Sequence, residues 1–397
     1  MSERVLADGY RFAGVRCGVR EPASERKDLA LVVSDRPAAA AGVFTQNRVV
    51  AAPVRLCRER LPRPDARAVV VCAGNANACT GERGLADARR MAELTARGLG
   101  CSPGQVLVGS TGVIGRPLPM PALEKGIPDA VGRLAATPQA FDDAANAILT
   151  TDTRTKVSTR PFTLSAGTYR LTGFAKGAAM IGPNMATLLA FLLTDAPVRP
   201  DDLHATLRAA ADATFNCISV EGHTSTNDTV LLLANGTGAP LAGDDLAAFG
   251  REVTAACAEL ARAIAADAEG ATRLVVVEVD GCRDDAEARK IAKAVADSPL
   301  VKTAVFGHDP NWGRIVSAAG YAGVEFEEED VSLWLGDLPL YQRGAPLPFD
   351  AGTASAYLKK NREVHLRLRF DLGSGRCTFY TCDLTAEYVR LNAEYTT

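Results

Sequence analysis

Apolar residues along the chain follow two different spacings, which together predict a mixture of strands and helices. Short runs of branched and aromatic residues, bounded by glycine, proline or aspartate, are typical of buried strands. They predict strands at Leu29–Val33, Ala68–Val71, Gln105–Gly109, Thr187–Leu193, Asp228–Ala234, Leu274–Val279, Val301–Phe306, Val331–Leu335 and Val364–Phe370. Apolar residues three or four positions apart predict helices at Asp87–Leu99, Pro138–Leu149, Pro200–Phe215, Leu246–Asp267 and Asp284–Asp297. Phe162–Thr172, with Gly167 at its centre, is expected to form a hairpin.

This mixture predicts an α/β or α+β fold built from layers of sheet and helix. The chain has 397 residues, 47% of them hydrophobic, which is enough for two buried cores. We place the division near Asp280-Gly281. It gives a larger domain at 1–280 and a smaller α/β domain at 281–397.

Charge and composition argue against several classes of protein. The formal net charge is -3, and no run of like charges indicates a nucleic-acid surface. The longest apolar stretch, Met185–Leu193, is too short to span a bilayer, and no apolar core of a signal peptide follows Met1. Ten scattered cysteines without a Cys-x-x-Cys pair favour reduced thiols over a zinc site or a disulfide framework. We therefore expect a cytoplasmic protein without a metal and without nucleic-acid or membrane partners.

The most unusual segment runs from Lys176 to Thr187 and reads Lys-Gly-Ala-Ala-Met-Ile-Gly-Pro-Asn-Met-Ala-Thr. Its small residues let the backbone pass close to other groups, and the apolar run Leu188–Leu193 follows at once. Thr187 would then open a buried strand at the end of a tight loop, where a nucleophile is well held and still reachable. Threonine is also a good strand former, so the residue types alone favour a purely structural role for Thr187.

The same segment resembles the self-cleavage motif of the ornithine acetyltransferase (glutamate N-acetyltransferase) family, Lys-Gly-small-Gly-Met-x-x-Pro-x-Met-Ala-Thr. Further segments resemble blocks of that family in the same order, from about residue 9 to the last residue. They are Val43–Arg48, Gly74–Gly81, Ser110–Gly115, Thr150–Asp152, Thr224–Thr229, Asp267–Gly270, Asp309–Arg314 and Tyr388–Thr397. A chance match of this length and order is not credible.

The resemblance implies a layered αββα sandwich like that of N-terminal nucleophile proteins, plus a smaller C-terminal α/β domain. It implies that Thr187 attacks the carbonyl of Ala186 and so cuts the chain into an α chain, 1–186, and a β chain, 187–397. These chains would remain together as an α2β2 or larger assembly. The freed α-amine, with an ordinary pKa of about 7.7–8.0, can then act as the base for the Thr187 hydroxyl.

The resemblance also assigns site residues. Thr111 and Gly112 match the pair that donates a hydroxyl and a backbone N–H to an oxyanion. Residues that match substrate-binding positions are Thr150 (or its neighbour Thr151), Lys176, Thr187, Glu269, Asn392 and Thr397. A lysine suits a substrate carboxylate, and a glutamate suits a substrate ammonium. Without the resemblance, Lys176 would be a solvated loop lysine and Glu269 an ordinary carboxylate at a helix end.

The implied activity is a ping-pong transfer of acetyl from N2-acetyl-L-ornithine to Thr187 and then to L-glutamate. The products are ornithine and N-acetylglutamate, as in arginine biosynthesis, and no metal or organic cofactor is required. Some family members also accept acetyl-CoA, but no CoA site is recognisable, so we favour the monofunctional transferase. The glycines at 109, 112 and 115 lack the Gly-x-Gly-x-x-Gly spacing of a dinucleotide loop.

Three segments depart from the family pattern. Ala179 replaces a usual glycine in the cleavage loop, Cys72-Ala73 replaces Asn-Ser, and Glu221-Gly222-His223 replaces Asp-Gly-Asp. If His223 faces the pocket, the amino-acid preference would shift towards a specialised, arginine-like metabolism; otherwise it is a neutral surface change. Two other functions stay open: a related self-cleaving aminopeptidase or amidase that passes the acyl group to water, and an uncleaved amino-acid-binding protein.

Overall fold

The computed structural model describes residues 4–20, 24–182 and 188–394. Within these ranges, the first part of the chain contributes an eight-stranded sheet and six helices. The strands are β1 (Tyr10–Val15), β2 (Leu29–Phe44), β3 (Arg63–Asn75), β4 (Val106–Val113), β5 (Lys156–Leu164), β6 (Gly167–Lys176), β7 (Leu189–Thr194) and β8 (Thr229–Ala234). The helices are α1 (Ala52–Arg60), α2 (Gly81–Leu99), α3 (Met120–Gly132), α4 (Pro138–Ala147), α5 (Pro200–Ala213) and α6 (Gly243–Ala265).

The long strand β2 divides this sheet into two layers. Its first half pairs with β1 and β3, and its second half, from Ala39 to Phe44, pairs with β8. The strand order is β4-β3-β2-β8-β7-β6-β5. One apolar core, which includes Val71, Leu107 and Phe191, lies between the two layers. A second core packs α1, α2 and α3 on the outside of β1–β4, and a third packs α5 and α6 on the outside of β5–β8. The predicted αββα arrangement is therefore confirmed.

The remainder of the chain forms a six-stranded sheet with its own core. Its elements are β9 (Leu274–Cys282), α7 (Asp285–Asp297), α8 (Pro299–Phe306), α9 (Trp312–Gly320), β10 (Val331–Leu335), β11 (Leu338–Gln342), β12 (Ala345–Pro346), α10 (Ala351–Lys360), β13 (Glu363–Phe370), β14 (Gly375–Cys382) and α11 (Ala386–Glu394). The strand order is β12-β11-β10-β13-β9-β14. Because β9 pairs with β13 and β14, the division expected near Asp280-Gly281 falls inside a strand. The passage from one sheet to the other lies between Ala265 and Leu274.

The strand predicted at Val301–Phe306 is wrong, because this segment is helix α8. Its apolar run matches a buried strand as well as a buried helix. The residues just before this run distinguish a helix from a strand. The Ser298 side chain accepts a hydrogen bond from the Val301 N–H, and Pro299 occupies the first helical turn. A serine cap followed by proline is a helix start.

No helix among the described residues combines the length and the apolar composition needed to cross a membrane. The ten cysteines are free thiols. Within 4–20, 24–182 and 188–394, no group of three or more His, Cys, Asp or Glu side chains is arranged to hold a metal ion.

Candidate active site

A cavity of about 150 Å³ lies where β4 and β6 end. Its lining comes from segments that are far apart in sequence, including the loop after β6 and the C-terminal helix α11. Six residues predicted from the sequence line it together: Thr111, Gly112, Thr150, Lys176, Glu269 and Asn392. Thr151, the alternative to Thr150, lines it as well, so that choice stays open. The predicted cleavage-site residues Ala186 and Thr187, and the predicted substrate residue Thr397, lie outside the described residues.

A buried lysine orients the hydroxyl group of Thr111. Lys176, at the end of β6, is 3% exposed, and its Nζ donates to Thr111 Oγ1 at 3.2 Å. Burial lowers the pKa of Lys176, while the neighbouring charge of Asp152 opposes the shift. A lysine ammonium can only donate, so Thr111 Oγ1 must be the acceptor in this contact. The Thr111 O–H is therefore left to donate to another group, as an oxyanion site requires.

Gly112 occupies a backbone conformation that only glycine fits. Its φ is +130°, and a Cβ at this position would lie 2.3 Å from the carbonyl carbon of Gly74. The end of β4 is also held from the other side, because Asn227 Nδ2 donates to Ala76 O at 2.6 Å and to Ser110 O at 2.9 Å. The Thr111-Gly112 pair therefore sits on backbone that is fixed on both sides.

A buried ion cluster supports the floor of the cavity. Lys156 is 1% exposed, and its Nζ contacts Asp152 Oδ1 and lies 2.5 Å from Asp267 Oδ2. Asp152 also accepts the backbone N–H groups of Thr150 at 2.9 Å and Gly177 at 2.7 Å. Burial alone would raise the pKa of Asp152, but the charges of Lys176 and Lys156 outweigh it and lower that pKa. The carboxylate therefore stays charged and ties two cavity loops together.

The C-terminal helix closes one side of the cavity. Asn392 Nδ2 donates to Glu269 Oε2 at 3.3 Å, and the Glu269 backbone N–H donates to Ala178 O at 2.8 Å. Burial raises the pKa of Glu269, partly opposed by the hydrogen bond from Asn392. Glu269 remains partly exposed, so its carboxylate can meet an ammonium group from a ligand in the cavity.

The segment 218–228 fixes the chain on both sides of residues 183–187. Before them, Ile181 O accepts the Val220 N–H at 2.8 Å, and the Ile181 N–H donates to the side chain of Glu221. After them, the Leu188 N–H donates to Asp228 Oδ1 at 3.1 Å. Burial raises the pKa of Glu221 to about 8 and raises that of Asp228 well above its ordinary range. Through the contacts at Ile181 and Leu188, both carboxyl groups are hydrogen-bond partners of the backbone that flanks residues 183–187.

These contacts give a physical reading of the departures from the family pattern. Glu221 holds the loop that precedes residue 183, whereas His223 is exposed and does not line the cavity formed by the described residues. The neutral-surface interpretation of His223 is the one this placement favours. Ala179 lines the cavity, and Gly182 has no room for a side chain, because a Cβ there would lie 2.4 Å from Gly222 C.

Several residues that build the cavity received no role from the sequence. They are Arg20, Asp152, Lys156, Asn227 and Asp228. Asp152 and Asp228 belong to segments that resemble family blocks, Thr-Thr-Asp and Thr-Ser-Thr-Asn-Asp. This resemblance was the signal from which a role for the two aspartates could have been predicted. Lys156 carried none, because an isolated lysine in a strand is ordinarily solvated.

An αββα sandwich with a cavity at its strand ends has the layered architecture of the N-terminal nucleophile folds. More narrowly, the chain belongs to the ArgJ family, whose model matches residues 11–397. This confirms the resemblance to ornithine acetyltransferases drawn from the sequence motifs.

A curated relative agrees with this assignment, and solved structures resemble parts of the chain. The chain is 45% identical to the arginine biosynthesis bifunctional protein ArgJ of Rhodopirellula baltica, over 100% of this chain and 97% of that protein. Its sequence is 41% identical to that of the same-named protein from Bacillus halodurans, whose crystal structure matches with a TM-score of 0.50. The match covers 52% of this chain and 98% of that one. An ornithine acetyltransferase from Mycobacterium tuberculosis, solved with ornithine, is 36% identical over 47% of this chain and 96% of that one, with a TM-score of 0.42.

Proposed function

We propose that this chain is an ornithine acetyltransferase, which moves an acetyl group from N2-acetyl-L-ornithine to L-glutamate through a covalent acetyl-Thr187 intermediate. The observation that carries the proposal is the buried hydrogen bond from Lys176 to Thr111, which leaves the Thr111 hydroxyl ready to donate inside a cavity lined by Glu269 and Asn392. Membership of a family whose relatives bear the name of an arginine biosynthesis protein supports the same reaction.

Activation is a self-cleavage between Ala186 and Thr187. The Thr187 hydroxyl attacks the Ala186 carbonyl, the C–N bond breaks, and an ester joins the two residues through the Thr187 oxygen. Water then hydrolyses the ester, giving the carboxylate of Ala186 and a free α-amine on Thr187. The contacts at Ile181 and Leu188 support this step, because they hold the chain on either side of the bond at fixed positions.

Acetyl transfer uses that amine as the base. The amine takes the proton of the Thr187 hydroxyl as the oxygen attacks the acetyl carbonyl of N2-acetylornithine, and it returns the proton to the departing amine of ornithine. The amine of glutamate then attacks the acetyl ester and regenerates the hydroxyl. In both tetrahedral intermediates, the O–H of Thr111 and the N–H of Gly112 donate to the oxyanion, and one such donor lowers a barrier by roughly 2.7–4 kcal/mol.

Charged groups of the cavity orient the substrates. The Lys176 ammonium is directed towards a substrate carboxylate, and the Glu269 carboxylate towards the side-chain ammonium of acetylornithine. The contact between Asn392 and Glu269 supports a role for the C-terminal segment, including Thr397, in closing over the substrate.

Cleavage would leave two chains that assemble as α2β2 or larger. The length of the Bacillus halodurans chain supports the cut itself. It is matched over 98% of its length by 52% of this chain, so it has about the size of one product of a cut near the middle.

The experiment that tests the reaction is a trapped half-reaction. Purified protein is mixed with N2-acetylornithine alone, denatured, and weighed by mass spectrometry. We expect the β chain to gain the mass of one acetyl group and to lose it when glutamate is added, with N-acetylglutamate as the product. Loss of the acetyl group to water at the same rate without glutamate would favour an amidase, and a chain that binds acetylornithine but never gains mass would favour a binding protein.

A further inference from the structure

A second, wider depression opens directly beside the cavity. We call it the arginine cleft; its volume is about 860 Å³. It shares Arg20, Thr150, Thr151 and Glu269 with the cavity, so the two are direct neighbours. The arginines that line the cleft are Arg20, Arg26, Arg154, Arg262, Arg273 and Arg362.

The lining of the cleft carries an excess of positive charge. Among the residues that the structure describes, the acidic ones in this lining are Asp267, Glu269 and Glu363. Asp267 is matched by the buried Lys156, whose Nζ is 2.5 Å from Asp267 Oδ2. Glu363 forms an ion pair with Arg262. Asp267 and Glu363 are therefore already paired. Arg273 also pairs with Asp383, at 3.7 Å, but the six arginines still outnumber the acidic residues of the lining and Asp383 together.

The arginines at the mouth of the cleft are available to a dissolved ion. Arg26, Arg154 and Arg362 are exposed. Arg26 Nη1 donates to Thr150 O at 2.7 Å, and Arg154 Nη2 donates to Ala266 O at 3.2 Å. Carbonyl oxygens are neutral, so these bonds fix the guanidinium groups without cancelling their charge. Arg154 Nε also lies 3.9 Å from Asp267 Oδ1, but that carboxylate is already paired with Lys156, whose Nζ is 2.5 Å from Asp267 Oδ2. A local positive field beside the cavity contrasts with a whole chain of net charge -3.

The four amino acids of the proposed reaction differ in net charge near neutral pH. N2-acetylornithine has one carboxylate and one ammonium and is neutral, whereas ornithine carries one positive charge. Glutamate carries one negative charge and N-acetylglutamate two. A positive entrance therefore favours the approach of the acceptor and disfavours the return of the departing ornithine, while the donor is nearly indifferent to it.

We propose that the arginine cleft is an outer anion subsite that captures the acidic acceptor and selects it as second substrate. The ligand is an amino acid with a carboxylate side chain. This inference rests on the proposed acetyl transfer. It adds specificity-determining residues, Arg154 and Arg362, that act before the acceptor reaches the cavity.

The test compares two double variants that remove the same total charge. R154Q/R362Q alters the cleft, and R55Q/R208Q alters two exposed arginines on α1 and α5 that do not line it. Both half-reactions are measured separately: formation of the acetyl-enzyme from acetylornithine, and its discharge by glutamate. At about 0.01 M ionic strength, where screening extends to about 30 Å, we expect R154Q/R362Q to lower kcat/KM for glutamate by about three- to tenfold. At about 1 M, where screening extends to about 3 Å, the difference from wild type should shrink to less than about twofold.

The donor half-reaction is the internal control. In R154Q/R362Q, acetyl-enzyme formation should stay within about twofold of wild type, because acetylornithine is neutral. Equal losses in both half-reactions, equal losses in both double variants, or an unchanged glutamate step would each overturn the proposal. So would a variant impaired only when acetyl-CoA is the donor, since the cleft would then serve a phosphate-bearing ligand. A wild-type protein that forms no acetyl-enzyme would refute the proposed function itself, which is a distinguishable result.

Discussion

At the scale of single residues, the cavity depends on a hydroxyl group whose hydrogen is directed by its neighbour. Lys176 donates to Thr111 Oγ1 at 3.2 Å, and both residues are buried. The contact leaves the Thr111 proton free to donate, and Gly112, the second donor that we propose for an oxyanion, lies on backbone that has no room for a side chain.

Replacement of Thr111 by valine tests this role. Valine keeps the shape of the side chain and removes the donor, so we expect kcat to fall by about 10²- to 10³-fold. Thr111→Ser keeps the hydroxyl and should retain most of the activity. Steady-state kinetics of glutamate acetylation measures both, with thermal unfolding as the check on folding. A valine variant with wild-type kcat would exclude Thr111 from the oxyanion site.

Some residues of the site could be predicted from the sequence, and others could not. Lys176 and Glu269 could be named because each stands at a fixed place in a segment that resembles a family motif. Arg154 and Arg362 could not, since the cleft gathers arginines from distant parts of a chain whose composition is slightly acidic. A charge patch assembled only by folding leaves no run of like charges in the sequence.

At the scale of elements, loops on two sides of the cavity are held by buried charges. Lys156 stands at the start of β5 between Asp152 and Asp267, and Asp152 in turn accepts the backbone N–H groups of Thr150 and Gly177. Removing one partner of such a cluster leaves uncompensated charge in the interior.

We therefore expect Lys156→Met to lower the free energy of unfolding by about 3–5 kcal/mol, because two buried carboxylates lose their cation. Urea denaturation in a Thr187→Ala background, which is expected to keep a single chain, measures the change. Lys290→Met, at an exposed position on α7, is the control and should shift stability by less than about 0.5 kcal/mol. A Lys156 variant as stable as the control would show that the cluster is not needed for the fold.

The stability of the fold is expected to depend on the protonation of Glu221. The pKa of Glu221 is raised by burial from 4.5 to about 8, so the folded chain binds this proton more tightly than the unfolded chain. The stabilisation is fully present below about pH 4.5 and is lost as the pH rises through about 8. Glu221→Gln cannot lose that proton. The free energy of unfolding of Glu221→Gln should therefore rise relative to that of the wild type as the pH increases from about 5 to about 9.

The comparison between the two proteins isolates Glu221. Asp228 is shifted in the same direction, but it is present in both, so its contribution cancels in the difference. A difference in unfolding free energy that stays constant across this pH range would mean that Glu221 titrates at its ordinary pKa.

Elements were predictable where local chemistry and burial agreed. The hairpin around Gly167 appears as β5 and β6, and most of the amphipathic helices lie within a few residues of their predicted positions. The helix α8 was missed because an apolar run alone does not separate a buried helix from a strand. The change of partner along β2, which creates the two sheet layers, depends on pairing with β3 and β8 and has no local signature.

At the scale of the whole molecule, the site brings the first sheet together with helix α11, which follows the second sheet. Thr111 belongs to the first sheet, while Asn392 belongs to α11, beyond the second sheet, and reaches Glu269. Because Asn392 lines the cavity, we expect residues added after Thr397 to disturb the site.

We expect a tag fused after Thr397 to lower kcat/KM for glutamate by about tenfold or more, because it would displace the segment that covers the cavity. The same tag placed before Met1 is the control and should have little effect. Steady-state kinetics of the two purified forms gives the comparison, with equal activities as the outcome that would remove the C-terminal segment from the site.

The central claim is that Thr187 cuts the chain and then carries the acetyl group, and the denatured mass of the purified protein tests it most directly. Scaling 41.7 kDa by 186/397 and 211/397 gives expected fragments of about 19.5 and about 22.2 kDa. We predict these two masses for the wild type and a single species of 41.7 kDa for Thr187→Ala. A wild-type protein that remains one chain of 41.7 kDa, or a Thr187→Ala variant that is still cut at the same bond, would contradict the account.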